Sequence, residues 1–537
     1  MTKKLLLGAE AIGQGAIDGG MSGVYAYPGT PSTEITEYVQ ENKVAKERNI
    51  HREWSANEKT AMEAALGMSY AGKRTMVCMK HVGLNVAADA FVNSAITGVN
   101  GGLIVTVADD PSMHSSQNEQ DSRFYGKFSM LPILEPSDQQ EAYEMARTGF
   151  ELSEKLGVPV LLRITTRLAH SRAGVETVEP MPENRGSLPK DPRQFVLLPA
   201  IARVRYAGLL EKQGSFRECA EKAPFNQFFD GKDKSLGIIC CGITYNYLKE
   251  NYPDECPYPH VKLSQYPLPE DMLKKMEEQV DEILVLEEGY PLVEEMLSGF
   301  FCRGRRILGR LDGTLPRMGE LNPDHVAKAL GIPVKEGGKA PDMLANRPPA
   351  LCKGCSHHDT YKALNLVMEP FGDGHVFSDI GCYTLGALPP YSSINSCVDM
   401  GASITMAKGA ADAGLFPSVA VIGDSTFTHS GMTGLLDAVN EKTPITVLIC
   451  DNESVSMTGG QDSAALGKIE SICLGLGVDP DHLHTIEAHR KNHDKLVELL
   501  EKEVNYEGVS VIIPRRECIQ KAARRIRAEK MKREQNA

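Results

Sequence analysis

A chain of 537 residues, 42% hydrophobic and 24% charged, is long enough for about two to four globular domains. Its formal charge of −13 argues against nucleic acid or an anionic membrane surface as the main partner, while leaving room for local anion sites. No apolar run reaches the ~20 residues of a membrane span, and Leu5-Leu6-Leu7 is far too short for a signal-peptide core, so a cytoplasmic location is expected. In that compartment the 13 cysteines read as buried apolar residues plus one metal-binding subset, not as a disulfide framework.

In chain order, residues 24–27 read as a strand, followed by a Pro-Gly-Thr-Pro turn and a helix from about residue 32. Residues 75–79, 103–107 and 158–164 are further apolar runs separated by helical patterns, which predicts a parallel, doubly wound sheet. A proline-rich polar stretch over about 166–200 reads as a long surface connection. Apolar runs at 236–241 and 283–286 predict a smaller α/β domain, and 336–349 reads as a second loose segment. The last domain has expected strands at 376–378, 419–422, 445–450 and 509–513, then a basic helical tail. The predicted class is thus α/β, with domains over 1–200, 201–335 and 351–537.

The apolar run 419–422 ends in Gly423-Asp424-Ser425, and the run 445–450 ends in Asp451-Asn452-Glu453-Ser454. The helical crossover between them makes the two strands parallel, which brings Asp424 and Asn452 to one sheet edge. Both offer hard oxygen ligands of the kind Mg²⁺ shares with a diphosphate. Alone, Gly-Asp-Ser is a strand-ending turn. With the crossover and Asp-Asn, the pair resembles the Gly-Asp-Gly…Asn-Asn signature of thiamine-diphosphate enzymes, departing at Ser425 and Asp451. That resemblance implies Asp424, Asn452 and the backbone carbonyl of Ser454 as magnesium ligands, with Gly423 and Ser425 beside the diphosphate. Gly401 looks like the glycine that admits the diphosphate to the backbone, or else serves a tight helix start.

Thiamine chemistry also needs a carboxyl group against the aminopyrimidine ring, to favour the tautomer that draws the thiazolium C2 proton; the protein positions the cofactor and sets its electrostatics. Residues 57–67 form an amphipathic pattern of small residues, with Glu58 near its start and Gly67 nine residues on. The same spacing recurs in the pyrimidine-binding domains of thiamine enzymes. By itself Glu58 would be read as complementing the helix dipole; beside the diphosphate signature it is the expected catalytic carboxyl group. Glu63 lies inside the helix and does not fit the spacing.

Several segments together resemble the alpha subunits of indolepyruvate:ferredoxin oxidoreductases. They are Tyr27-Pro28-Gly29-Thr30-Pro31-Ser32, Met79-Lys80-His81-Val82-Gly83-Leu84-Asn85, Asp109-Asp110-Pro111, the run His114 to Arg123, and Met457-Thr458-Gly459-Gly460-Gln461. The resemblance spans about residues 4–518. It implies two thiamine-diphosphate domains, pyrimidine-type and pyrophosphate-type, flanking a transketolase-C-terminal-like domain. It implies oxidative decarboxylation of an aryl 2-oxo acid with coenzyme A to acyl-CoA and CO₂, and electrons passed singly to ferredoxin. It also implies a smaller beta subunit, hence a hetero-oligomer. Thr30 is implied to contact substrate and Thr458 to lie at the cofactor. His81 and Arg123 are further pocket candidates, with a satisfied polar residue and a structural ion pair as their respective alternatives.

Cys352-Lys353-Gly354-Cys355 opens the last domain, Cys382 follows one strand and Cys518 another. Four thiolates suit a 4Fe-4S cluster, and they also suit structural zinc; a metal-free Cys-x2-Cys pair remains a third account. The resemblance favours iron–sulfur, although the family's Cys-Pro-Gly-Cys-Pro-His becomes Cys-Lys-Gly-Cys-Ser-His here. Many alpha subunits also end in a cysteine-dense ferredoxin-like module, which this sequence lacks. Cys473 is a spare fourth ligand, and Cys78, Cys240 and Cys450 read as core. The tail 522–533 reads as a solvated basic face or a dock for an acidic ferredoxin or a partner subunit. Glu287-Glu288-Gly289-Tyr290-Pro291 receives no chemistry. Two other functions share parts of the pattern. One is a non-oxidative thiamine decarboxylase or carboligase, which needs no cluster. The other is a noncatalytic metal- or phosphate-binding subunit.

Overall fold

The computed structural model describes residues 2–189, 191, 193–298, 306–334, 337, 341, 343–344 and 349–535. Pro192 of the first connection and most of the second loose segment, 336–349, lie outside the described residues. The chain forms two compact units, residues up to 338 and residues from 339 on. Among the described residues no helix is long and apolar enough to cross a membrane.

The first unit is built on a seven-stranded sheet. Its order is Gln265–Tyr266, Ile133–Leu134, Val160–Thr165, Leu103–Asp109, Thr75–Lys80, Gly23–Ala26 and His51–Trp54. Every pairing is parallel except that of Gln265–Tyr266. The central strands carry side chains such as Met76, Val77, Ile104 and Val105 that are wholly buried, because helices cover both faces. Glu58–Tyr70 and His81–Thr97 are two of those helices, each starting just after a strand of this sheet.

Three features differ from the sequence expectation. The first apolar run, Thr2–Leu7, pairs antiparallel with Arg172–Thr177, a stretch expected to be irregular. Pro199 opens a helix, Pro199–Glu221, at the first helical position, where its missing N–H costs nothing. The middle region packs into the same unit as the first. It has its own five-stranded sheet, ordered Arg306–Leu308, Glu282–Leu286, Leu236–Cys241, His260–Leu263 and Gln227–Phe229, and lends Gln265–Tyr266 to the edge of the larger one.

The seam between these two sheets is charged and buried. Arg123 is fully buried. It donates to Asp121, to the carbonyls of Glu288 (3.0 Å) and Tyr290 (2.9 Å) and to Tyr266 Oη (3.3 Å), and it pairs with Glu287 at 3.0 Å. Arg163, equally enclosed, pairs with Asp109 at 2.6 Å and with Glu135. Burial pushes the carboxyls of Glu287 and Glu288 up to about 7, opposed first by Arg123 and Arg310 respectively. Arg123, a pocket candidate whose alternative was a structural ion pair, thus stands in this structure as a buried ion pair with its donors engaged in the seam. Removing one member of such a set strands the others in low dielectric, at a cost of ~3–5 kcal/mol. Arg123→Met is expected to lower the thermal midpoint and the soluble yield sharply, while the folded fraction keeps its KM for substrate; scanning calorimetry and kinetics on the soluble fraction check this.

The second unit holds a six-stranded, wholly parallel sheet: Ser396–Cys397, Val376–Ser378, Val419–Gly423, Thr446–Cys450, Ser510–Arg515 and Leu483–Glu487. As the crossover predicted, Val419–Gly423 and Thr446–Cys450 are direct neighbours, with Gly423 opposite Cys450. The link between them is an irregular helix: Asp424–Thr426, a wider turn over Phe427–Gly431, then Met432–Glu441.

Candidate functional site

Four adjacent strands of the second unit deliver the candidate residues to one edge. Asp379 to Cys382 follow Val376–Ser378, Asp424 follows Val419–Gly423, Asn452 to Ser454 follow Thr446–Cys450, and Cys518 follows Ser510–Arg515. In a parallel sheet the carboxyl ends align, and a ligand in that crevice meets several loops at once.

The Asp424 carboxylate is buried, and its Oδ2 accepts the Ser454 N–H at 3.1 Å. Asn452 Oδ1 accepts the same N–H at 3.1 Å, so the two side-chain oxygens face one backbone group. Ser425 N–H and Ser463 Oγ also donate to Asp424, but burial and the neighbouring Asp451 charge outweigh them and push it up to about 7. Asp451 itself is engaged by Arg515 at 2.5 Å. Glu453 stands between the two candidate ligands at φ +59°, a strained conformation for a residue with a side chain. A buried carboxylate beside an amide oxygen and a turned backbone has the donor chemistry of a Mg²⁺ site.

The loop that carries these groups is braced from two sides. Thr458 Oγ1 and Gln461 Oε1 are 3.2 Å apart, and Gln461 Nε2 donates to the Thr458 carbonyl at 3.1 Å, closing the turn between Ser454–Val455 and Gln461–Asp462. Lys521 Nζ donates to the Glu453 carbonyl at 2.7 Å, and Arg524 donates to the Gly459 carbonyl. The start of the basic C-terminal helix, Ile519–Gln535, thus clamps the candidate diphosphate loop, a role its charge pattern alone did not suggest.

Gly401 caps the helix Ala402–Asp412 at φ +94°, and a Cβ there would lie 2.5 Å from Ser430 Cβ. Both the backbone conformation and the space require glycine. Sequence reasoning overlooked Asp379, which organises this corner. Its Oδ2 accepts Ser403 Oγ at 2.6 Å, Tyr383 Oη donates to its Oδ1, and burial pushes it up to about 7. Its position at a strand end, in Ser378-Asp379-Ile380-Gly381, was the available signal.

Three of the four proposed cluster thiols lie near enough for their charge to reach the fourth, Cys382. Burial pushes Cys382 up to about 12, and the charges of Cys355, Cys518 and Cys352 add to it in that order. The Cys518 N–H donates to the Asn452 carbonyl at 3.0 Å, tying one cysteine to the candidate magnesium loop. Arg516 holds the Cys352–Cys355 turn through the Gly354 carbonyl at 2.8 Å. The donor set has the composition of a cysteine-ligated site, although no group of three or more His, Cys, Asp or Glu side chains among the described residues is drawn into a closed metal cage. Cys473 is not a spare ligand: it is buried in the apolar core with Ile469 and Val478. Cys78, Cys240 and Cys450 are buried as well.

In the first unit the same edge logic gathers Thr30, Glu58, Lys80, His81 and Asp110 behind four adjacent strands. Glu58 opens its helix after the Asn57 cap, whose side chain accepts the Thr60 N–H at 2.8 Å, and is 4% exposed. Glu63 is exposed and pairs with Lys59. Gly67 faces open space, whereas a Cβ on Gly83 would lie 2.5 Å from Glu58 Oε1. Gly83 is therefore the glycine that makes room for the glutamate. His81 is buried, with Nε2 3.2 Å from the Asn118 carbonyl, and its Nδ1 has no hydrogen-bond partner among the described residues. Thr30 is half-buried, and its carbonyl accepts Ser115 Oγ at 3.2 Å.

Comparison with known proteins bears on both units. Residues 14–196 match the pyruvate flavodoxin/ferredoxin oxidoreductase thiamine-diphosphate-binding family, and residues 379–513 match the C-terminal thiamine-pyrophosphate-binding domain of thiamine pyrophosphate enzymes. A 2-oxoglutarate:ferredoxin oxidoreductase from Magnetococcus marinus, solved with 2-oxoglutarate, coenzyme A and succinyl-CoA, shares the fold at TM-score 0.50 and 17% identity, over 61% of this chain and 65% of that one. The indolepyruvate oxidoreductase subunit IorA of Archaeoglobus fulgidus is 39% identical over 96% of this chain and 86% of its own length. Its counterpart in Methanothermobacter thermautotrophicus is 39% identical over 96% and 87%, and that of Pyrococcus horikoshii 38% over 96% and 86%. Likeness at this level over nearly the whole length, with both thiamine-diphosphate domains matched, means that the chain belongs to the family of the indolepyruvate oxidoreductase subunit IorA.

Proposed function

We propose that the chain is the thiamine-diphosphate subunit of an oxidoreductase acting on indolepyruvate or a related aryl 2-oxo acid. With coenzyme A the products are the acyl-CoA and CO₂, and two electrons leave singly through a 4Fe-4S cluster to a ferredoxin. A smaller beta subunit completes the enzyme. The observation that carries this reading is the single sheet edge that presents Cys382, Asp424, Asn452 and Cys518 together, in a chain of this family.

When bound, thiamine diphosphate supplies the carbon nucleophile for the 2-oxo group and holds the electron pair that CO₂ leaves behind. Asp424, Asn452 and the Ser454 carbonyl would hold Mg²⁺, with Gly401, Gly423, Ser425 and Thr458 around the diphosphate. Glu58 would keep a proton at the aminopyrimidine, and Thr30 and His81 would orient the substrate. Cys352, Cys355, Cys382 and Cys518 would hold the cluster, and the Cys518 N–H donates to the Asn452 carbonyl of the candidate magnesium loop.

The test is anaerobic co-expression with the partner subunit, then a screen of 2-oxo acids with coenzyme A and a viologen dye. Aryl substrates are expected to reduce the dye only when coenzyme A is present, in protein that contains iron and acid-labile sulfide. Release of CO₂ without dye reduction would favour a non-oxidative decarboxylase. Thiamine-diphosphate binding with no turnover of any 2-oxo acid would favour a noncatalytic subunit.

A further inference from the structure

A 2-oxo acid brings a carboxylate into its pocket, and a carboxylate leaving water calls for a fixed cation. Arg123 cannot serve, because it is enclosed and its donors are spent on the seam. Lys80 stands elsewhere. It is the last residue of the strand Thr75–Lys80 and the N-terminal cap of the helix His81–Thr97, and it is half-buried. Its stem lies along Gly29, where a Cβ would sit 3.2 Å from Lys80 Cγ and Cδ. Its Nζ donates to the Ser115 carbonyl at 3.0 Å, and Ser115 Oγ donates in turn to the Thr30 carbonyl at 3.2 Å. The amine is thereby aimed into the Thr30 loop.

Two carboxylates, Asp110 and Glu58, lie near Lys80, and among the described residues it is salt-bridged to neither. Asp110 is instead engaged by neutral donors: it takes Ser115 N–H at 2.8 Å, Ser116 Oγ at 2.7 Å and Thr166 Oγ1 at 2.7 Å. Burial draws the ammonium down to about 8, with Asp110 and then Glu58 pulling the other way. An ammonium has three protons and Ser115 uses one, so two remain for an incoming oxygen pair.

We propose that Lys80 is the cation that binds the carboxylate of the 2-oxo acid, beside Thr30 and Glu58. The inference rests on the proposed function and deepens it. Wild-type, Lys80→Gln and Lys80→Arg enzymes, each with its partner subunit and loaded with thiamine diphosphate and Mg²⁺, are compared with indolepyruvate as substrate and indolepyruvate carboxamide as competitor. Wild type is expected to favour the acid over the amide by about tenfold or more, a difference of ~1.4 kcal/mol. Lys80→Gln is expected to erase that preference and raise KM for the acid by about tenfold or more, with KM for coenzyme A and the cofactor Kd unchanged. Lys80→Arg is expected to keep most of the preference. A Lys80→Gln enzyme that retains the preference with an unchanged KM overturns the inference alone. So does a parallel fall in cofactor affinity, which would make Lys80 a support of the cofactor site. A wild-type enzyme that turns over no aryl 2-oxo acid overturns the proposed function itself.

Discussion

Glu58→Gln is expected to lower kcat for an aryl 2-oxo acid by about a hundred- to ten-thousandfold, the range for losing a positioned acid–base group. The substitution keeps the shape of a side chain that is 4% exposed and packed against Gly83. It also keeps the Asn57 cap, so the helix Glu58–Tyr70 should form as before. On the proposed role, what is lost is the carboxyl group that would share a proton with the aminopyrimidine. If Glu58 merely complemented the helix dipole, its loss would cost up to ~1 kcal/mol of stability and leave the chemistry alone. Hydrogen–deuterium exchange at C2 of the bound cofactor, read by acid quench and NMR, separates the two. Exchange slowed in step with kcat supports the catalytic role, and exchange at the wild-type rate removes it.

Asp424→Ala is expected to weaken retention of thiamine diphosphate and Mg²⁺ by more than about a hundredfold. Even groups that only support a metal ligand are worth about ten- to a hundredfold in affinity, and Asp424 would be a ligand. The carboxylate lies buried next to Asp451, so without a cation it is a burden on the fold. The cofactor-free variant should therefore melt no lower than cofactor-free wild type. Titration calorimetry with thiamine diphosphate at saturating Mg²⁺, beside a thermal scan of both cofactor-free proteins, checks the pair. Unchanged cofactor affinity would refute the ligand assignment.

The second unit was the more legible of the two because buried parallel strands write themselves as apolar runs with polar ends. The run 419–422 ending at Asp424 and the run 445–450 ending at Asn452 needed only the crossover rule to become neighbours, and they are. The edge strand His51–Trp54 is mostly polar and half-exposed, so no apolar run marked it. The pairing of Thr2–Leu7 with Arg172–Thr177 joins segments at opposite ends of the first domain, where local pattern carries no information. Arg123 shows the same limit in the site. Its partners Tyr266, Glu287 and Tyr290 lie far along the sequence, and only their convergence turns a candidate substrate cation into a buried structural one. Lys80 was visible inside a recognisable segment, but its meaning comes from Ser115, Asp110 and Glu58, which meet it only in the folded sheet edge.

The most direct measurement counts products. The anaerobic complex, supplied with indolepyruvate, coenzyme A and excess viologen, is assayed together for CO₂, acyl-CoA and reduced dye. Oxidative cleavage predicts one acyl-CoA and about two reduced viologens for every CO₂, because each decarboxylation leaves one electron pair that departs singly. CO₂ accompanied by free aldehyde and no reduced dye would contradict the account.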